Sequence, residues 1–307
     1  MRLQSMLLAG KGAGALIVPV CITRAEAQGP FPGWTDSIKI YINTTATGHA
    51  MSDSVPVTST PVYQYPLLVR LTPQNFSSYA AVKAGGADIR FAGHAGAVLP
   101  YQVERWTTES GEVWVKVDTV HANNTFQFFV MYWGKADATD ASNPNAVFDT
   151  GNGFQGVWHL GGGFEDATAM MRHGIDSVTT TGTMGCIGGG QEFREVPLDV
   201  LAMPSNASIT NAFTISFWVN VDTMFYTEGP HIDVLSNFQF NGGSGLGVHL
   251  LQSQLVMRSV SNNNDFTTGC VWANRWRNLA VTLENGTITK YVDGKVRGQT
   301  TGFSFNP

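Results

Sequence analysis

The chain has 307 residues, a formal net charge of −5, only 13 % charged residues and 34 glycines. That length holds two domains of ordinary size, each with its own core. No Lys/Arg-rich run is present, which excludes a nucleic-acid surface built on clustered cations. The sparse charge and frequent glycine also argue against a helical bundle and for short strands joined by turns.

Residues 1–27 read as an export signal. Arg2 and Lys11 supply positive charge, residues 12–22 form a short apolar stretch, and Ala25-Glu26-Ala27 fits a small-x-small cleavage site, so the mature chain begins near Gln28. The alternative is a buried N-terminal strand or helix, either of which Pro19 would interrupt. Val18-Pro19-Val20-Cys21 departs from a lipoprotein box, so no lipid anchor is expected. No later stretch approaches the roughly 20 apolar residues of a membrane span. The expectation is an exported protein, periplasmic, at the cell surface or extracellular, with no membrane span in the mature chain. Two cysteines remain after removal of the signal, Cys186 and Cys270. An oxidising compartment permits a bond between them, and two buried thiols are equally compatible with the sequence.

Residues 28–150 read as a first β-sandwich domain. Ile38, Ile40 and Ile42 alternate along one face of a strand. An apolar run over 65–71 is ended by Pro73. Residues 75–84 predict a short helix, capped by Asn75 or Ser77 and stopped by Gly85-Gly86. Further strands are predicted at 88–91, 101–106, 113–117 and 126–133, giving about six or seven short strands at sandwich-like spacing. Asp88, Arg90, Glu104 and Arg105 read as a set of structural ion pairs. Residues 134–145 are polar, with Asn143-Pro144 as a turn initiator. The domain boundary is expected near Gly151.

Residues 151–307 read as a second domain, β throughout. In residues 213–221 every odd position is apolar, while the even positions are Thr214, Ser216, Trp218 and Asn220. One face is therefore core and the other polar except for Trp218. A strand over 279–284 meets Asn285-Gly286, which favours a type I′ turn because both residues tolerate positive φ. Residues 287–292 return as its partner, and Asp293-Gly294 makes the next turn.

Several pieces of this second domain resemble laminin-G-like jelly rolls of the concanavalin A-like lectin/glucanase class. They are Gly156-Val157-Trp158-His159-Leu160, Gly188-Gly189-Gly190-Gln191-Glu192-Phe193, the strand from Phe213 to Val219, Trp276-Arg277-Asn278-Leu279 and Tyr291-Val292-Asp293-Gly294-Lys295. Residues 34–150 resemble the bacterial domain of unknown function 2341. That likeness rests on Gly86-Ala87-Asp88-Ile89-Arg90-Phe91, Leu99-Pro100-Tyr101-Gln102-Val103-Glu104-Arg105-Trp106, Val113-Trp114-Val115-Lys116-Val117 and Met131-Tyr132-Trp133-Gly134, among others. The resemblances imply an all-β chain of two consecutive antiparallel β-sandwich domains, the second a concanavalin A-like jelly roll, incomplete at its C-terminus. They also imply company: the first family occurs in proteins labelled as MotA/TolQ/ExbB proton channels, though this chain lacks the apolar spans of such a channel.

Chemistry-bearing motifs are sparse. Glucanases of this fold class project paired carboxylates from one strand, often as Glu-x-Asp-x-x-Glu, and no such segment occurs; Glu192 and Glu195 are three apart and fall on opposite faces of a strand. No nucleophile elbow, zinc helix or phosphate loop is found. The laminin-G resemblance points to calcium, with Asp166 as a ligand; a turn-capping Asp is the competing reading. For a sugar, whose CH face stacks on an exposed aromatic ring, Trp218, Tyr226 and Trp272 are the candidates, with Asn263 in the amide-rich loop 261–265. The competing reading covers Trp218 with a neighbouring loop or the first domain. The expected function is non-catalytic binding or adhesion at a bacterial envelope, to glycan or another surface polymer. Alternatives are an ectodomain accessory to an ExbB/TolQ-like machine, with an envelope protein as partner, and a glycoside hydrolase.

Overall fold

The computed structural model describes residues 2–9, 20–25, 29–46, 59–176, 180–193, 201–202, 212–221, 232–236, 246–251, 254–259, 262–266 and 274–303. Among them the protein is all-β apart from single helical turns, and its strand pairs are antiparallel, as the family resemblances imply. No helix among the described residues is long and apolar enough to cross a membrane. The chain forms two compact units, Leu16–Asp149 on the one hand and Met1–Ala15 with Thr150–Pro307 on the other. The stretch read as an export signal supplies a strand to each: β1 (Arg2–Ala9) to the unit that contains the C-terminal half, and β2 (Val20–Ala25) to the other.

The unit Leu16–Asp149 continues with β3 (Asp36–Ile42), β4 (Val62–Leu71), β5 (Arg90–Gly93), β6 (Tyr101–Trp106), β7 (Gly111–Val120) and β8 (Phe128–Trp133). One sheet has the order β2-β3-β8-β5 and the other β4-β7-β6. Ile38, Ile40 and Ile42 of the first sheet share one core with Leu67, Val69, Val113 and Val115 of the second. Each such fully buried side chain contributes about 1.5–3 kcal/mol of transfer free energy.

Two sequence expectations change here. The helix over 75–84 is replaced by single 3-10 turns at Tyr79–Ala81 and Ala84–Gly86. The buried residues Phe76, Tyr79 and Val82 recur every third position, which suits the tighter 3-10 repeat. The Asn75 side chain is spent on accepting the Thr72 amide at 2.8 Å and donating to the Arg70 carbonyl. Asp88 and Arg90 are not ion-paired but organise backbone. Asp88 accepts the amides of Lys83 and Gly134, both at 2.8 Å, while Arg90 donates to the carbonyls of Ile89 and Thr139 and to the Tyr101 hydroxyl. Arg105 of the expected set is ion-paired, with the buried Glu112 at 2.9 Å, and Arg70 joins the same carboxylate at 3.4 Å. The polar stretch after β8 forms a strap. Ser142 accepts the Val103 amide, Asn143 caps the turn α1 (Pro144–Val147) by accepting the Ala146 amide, and Phe148 packs on Trp114. The strap buries Trp114 and Lys116, so β7 is covered on both faces.

The second unit adds β9 (Phe154–Trp158), β10 (Ile175–Asp176), β11 (Thr180–Met184), β12 (Gly189–Glu192), β13 (Leu201–Ala202) and β14 (Phe213–Asn220). It is completed by β15 (Ile232–Ser236), β16 (Leu246–Leu251), β17 (Gln254–Ser259), β18 (Asn262–Phe266), β19 (Trp276–Glu284), β20 (Thr287–Val292) and β21 (Lys295–Thr300). The large sheet runs β11-β12-β1-β14-β19-β20-β21, with β9 also on β1. A second sheet is β15-β16-β17-β18, and β10 pairs with β13. Phe213, Ile215, Phe217 and Val219 of β14 enclose a core with Leu279, Val281, Val248 and Leu250, the last two from the second sheet. The Asn285-Gly286 turn has the predicted geometry, both residues at positive φ (50° and 70°). The glycine-rich segment before Gln191 has a steric reason: a Cβ on Gly189 would sit 2.6 Å from the Gly161 carbonyl oxygen.

Candidate functional site

The face of β14 opposite the core carries Thr214, Ser216, Trp218 and Asn220. Pairing with β19 sets Trp218 across from Asn278 and Asn220 across from Trp276. Directly opposed residues share a face, so two tryptophans and two asparagines meet at one end of this strand pair. The face is graded along its length. Thr214 and Ser216 are buried, at 2 % and 1 % exposure, while Trp218, Asn220 and Trp276 are partly exposed. On the next strand Tyr291, across from Ala280, is also partly exposed.

One polar group between the rings, Asn278, is held in place. Asn278 is buried and donates through Nδ2 to Ser216 Oγ at 3.3 Å. Its backbone is clamped by Asp293, which accepts the Asn278 amide on Oδ1 at 3.0 Å and donates its own amide to the Asn278 carbonyl at 2.7 Å. Asp293 also pairs with Arg277. Partly exposed indoles beside a partly exposed amide, here Asn220, are the elements with which a protein binds a pyranose: rings cover the CH face and the amide takes hydroxyls.

Of the residues expected here, Trp218 lies on this face. Tyr226 and Trp272 lie outside the described residues, in the segments that leave β14 after Val221 and enter β19 before Asn274. Asn263 lies in β18, where residues 262–266 form a strand rather than the expected loop. Pairing of Ser259 with Asn262 and Met257 with Phe266 explains this, since a polar strand is well suited to a sheet edge. Its side chain is outside the description, as is Cys270; Cys186 is half-buried. Trp276 was not singled out as a binding residue. Counting back from the Asn285-Gly286 turn in steps of two places Trp276 on the face of Asn278, so the signal was in the sequence.

The expected calcium ligand, Asp166, is buried at 5 % exposure. Its Oδ1 accepts the amides of Val157 (3.0 Å) and Thr168 (2.9 Å), and its Oδ2 accepts Thr168 Oγ1 (2.8 Å) and the Arg172 amide (3.0 Å). A carboxylate offers about four lone-pair directions, and these four donors fill them. The Arg172 guanidinium lies in the same turn, on the Gln155 carbonyl. This arrangement does not fit a calcium ion, which needs six to eight oxygen ligands. Among the described residues no cluster of three or more His, Cys, Asp or Glu side chains is set to hold a metal. The turn-capping reading accounts for Asp166.

Burial perturbs one carboxyl and one imidazole. Burial pushes Glu104 up to about 8, against the opposing effect of the hydrogen bond from Trp114 Nε1; the neighbouring Glu112 raises it further, and Arg105 and Arg70 lower it. Burial lowers His159 to about 4.

Comparison with known families agrees with the order read from the sequence. Residues 85–161 match the family model of the domain of unknown function 2341. Residues 199–307 match that of the concanavalin A-like lectin/glucanases superfamily. Both resemblances are thus found, one after the other, and the second contains the Trp218–Trp276 face. No curated protein sequence matches the chain. A crystal structure from Bacteroides ovatus, provisionally assigned as a carbohydrate binding protein, shares 10 % identity over 98 % of this chain and 72 % of its own, with a TM-score of 0.29. At that score the likeness carries no argument.

Proposed function

We propose that the chain is an exported, non-catalytic carbohydrate-binding protein of the bacterial envelope, engaging a glycan or a similar surface polymer through the Trp218–Trp276 end of the large sheet. The observation that carries this reading is the pairing, on adjacent strands, of two partly exposed tryptophans with the partly exposed Asn220 and the buried, clamped Asn278. The match of residues 199–307 to a lectin/glucanase superfamily supports it. Export and adhesion rest on the N-terminal sequence and on the polar, weakly charged composition. The absence of a Glu-x-Asp-x-x-Glu segment from the sequence favours binding over hydrolysis.

A glycan array probed with the full chain tests the proposal. The expected result is binding to a restricted set of glycans, reduced at least tenfold in Trp218→Ala and Trp276→Ala with unchanged circular dichroism. Release of reducing sugar from a bound glycan would replace the binding reading with a hydrolase. Absence of any glycan retained by a folded protein would sink it.

A further inference from the structure

We propose that the slot between β14 on one side and β9 and β12 on the other is a strand-acceptor site for an extended segment of another polypeptide, filled in this structure by the chain's own residues 2–9. The sheet order carries the inference. β14 leads through β19 and β20 to β21, while β12 leads to β11; β1 joins the two groups and also carries β9. Taking β1 away leaves β14 and β9 each with an open row of backbone donors and acceptors facing the same strand-wide slot. Such paired edges are a template for strand addition.

β1 fits the slot along its length. Arg2 pairs across from Asn220 and Ala9 across from Thr214, spanning nearly all of β14, while Met6 to Ala9 pair with Trp158 to Phe154 on the opposite side. Register sets Leu3 opposite Val219 and Leu8 opposite Ile215, two residues with 0 % exposure. One extra residue of β1 is accommodated between Gln4 and Leu7. The segment contains no proline, so each residue has an N–H for one edge or the other.

β1 also behaves as a ligand in its connectivity. It reaches its sheet partners, all beyond Thr150, only through the whole of the unit Leu16–Asp149. Cleavage after Ala27, which the export reading entails, removes β1 and opens the slot. The occupant is then a proline-free extended segment of about eight residues, apolar at the positions opposite Val219 and Ile215. The opening of the slot rests on the export reading but not on glycan binding: its ligand is backbone, although the edge strand β14 also carries Trp218, across from Gln4.

Two measurements test it. On the unaltered full chain, hydrogen exchange should show the amides of residues 3–8 protected about as strongly as those of β14; exchange at the rate of a free peptide overturns the proposal. In a full chain with a protease site inserted between Ala15 and Leu16, a fluorescein-labelled peptide Arg-Leu-Gln-Ser-Met-Leu-Leu-Ala, added in excess while the cut protein refolds, should be incorporated and co-elute with it. The same peptide with Leu7→Pro should bind at least tenfold more weakly. Failure of the first peptide to bind, or equal binding of the proline peptide, overturns the proposal.

Discussion

Asp293 grips Asn278 with both its side chain and its backbone: Oδ1 accepts the Asn278 amide at 3.0 Å, and the Asp293 amide donates to the Asn278 carbonyl at 2.7 Å. The same carboxylate pairs with Arg277. Two sequence pieces, Trp276-Arg277-Asn278-Leu279 and Tyr291-Val292-Asp293-Gly294, are thereby locked into one structural device. The device fixes the register of β19 against β20 and, through Asn278, the position of the amide beside Trp218.

Replacing Asp293 tests that device. Asp293 has a φ of 50°, which Asp and Asn tolerate and Ala does not. Asp293→Ala loses the two acceptor bonds and adds backbone strain, and should cost about 3 kcal/mol in chemical denaturation. Asp293→Asn keeps the backbone preference and one acceptor, and should cost about 1 kcal/mol. Equal costs for the two variants would show that the carboxylate alone, and not the turn conformation, matters.

Asp166 makes the opposite case to a metal ligand. Asp166→Ala leaves the buried amides of Val157, Thr168 and Arg172 without their acceptor and should destabilise by roughly 3 kcal/mol or more. Millimolar calcium should leave the melting temperature of the native chain unchanged. A calcium-dependent rise that vanishes in Asp166→Ala would reinstate the ion.

The fold class was legible because its signals are local. The alternation of Ile38, Ile40 and Ile42, the odd-position core of β14 and the Asn285-Gly286 turn each depend on residues within a few positions of one another. What escaped depends on distant partners. Nothing adjacent to Asp88 announces that it will accept the Gly134 amide, and nothing near β7 announces that Phe148 will cover Trp114. The same limit divides the candidate face. Trp218 was visible from its own strand, whereas the meaning of Trp276 emerges only once β19 is set beside β14.

The pocket around Glu104 sets a pH dependence for the unit Leu16–Asp149. With its pKa pushed up to about 8, Glu104 keeps its proton at neutral pH in the fold, while the unfolded chain releases it near 4.5. The folded state binds more protons, so this contribution to stability is complete below about pH 4.5 and is lost as the pH rises through 8. Glu104→Gln, which mimics the protonated form and can still accept from Trp114, should be more stable than the native chain at pH 9 and indistinguishable from it at pH 4. Parallel pH profiles for the two proteins would refute this assignment.

His159 sets the reverse dependence in the other unit. Burial lowers its pKa to about 4, against 6.5 in the unfolded chain, so the fold holds a neutral imidazole. Above pH 6.5 neither state is protonated and the group has no effect. As the pH falls from 6.5 toward 4, the unfolded state gains a proton that the folded state refuses, and stability drops by about 3 kcal/mol at most. His159→Gln removes the titration. It should flatten the fall in melting temperature over this interval, with little change in the pH dependence above 6.5. If the variant loses stability on acidification as steeply as the native chain, the proton is taken up elsewhere.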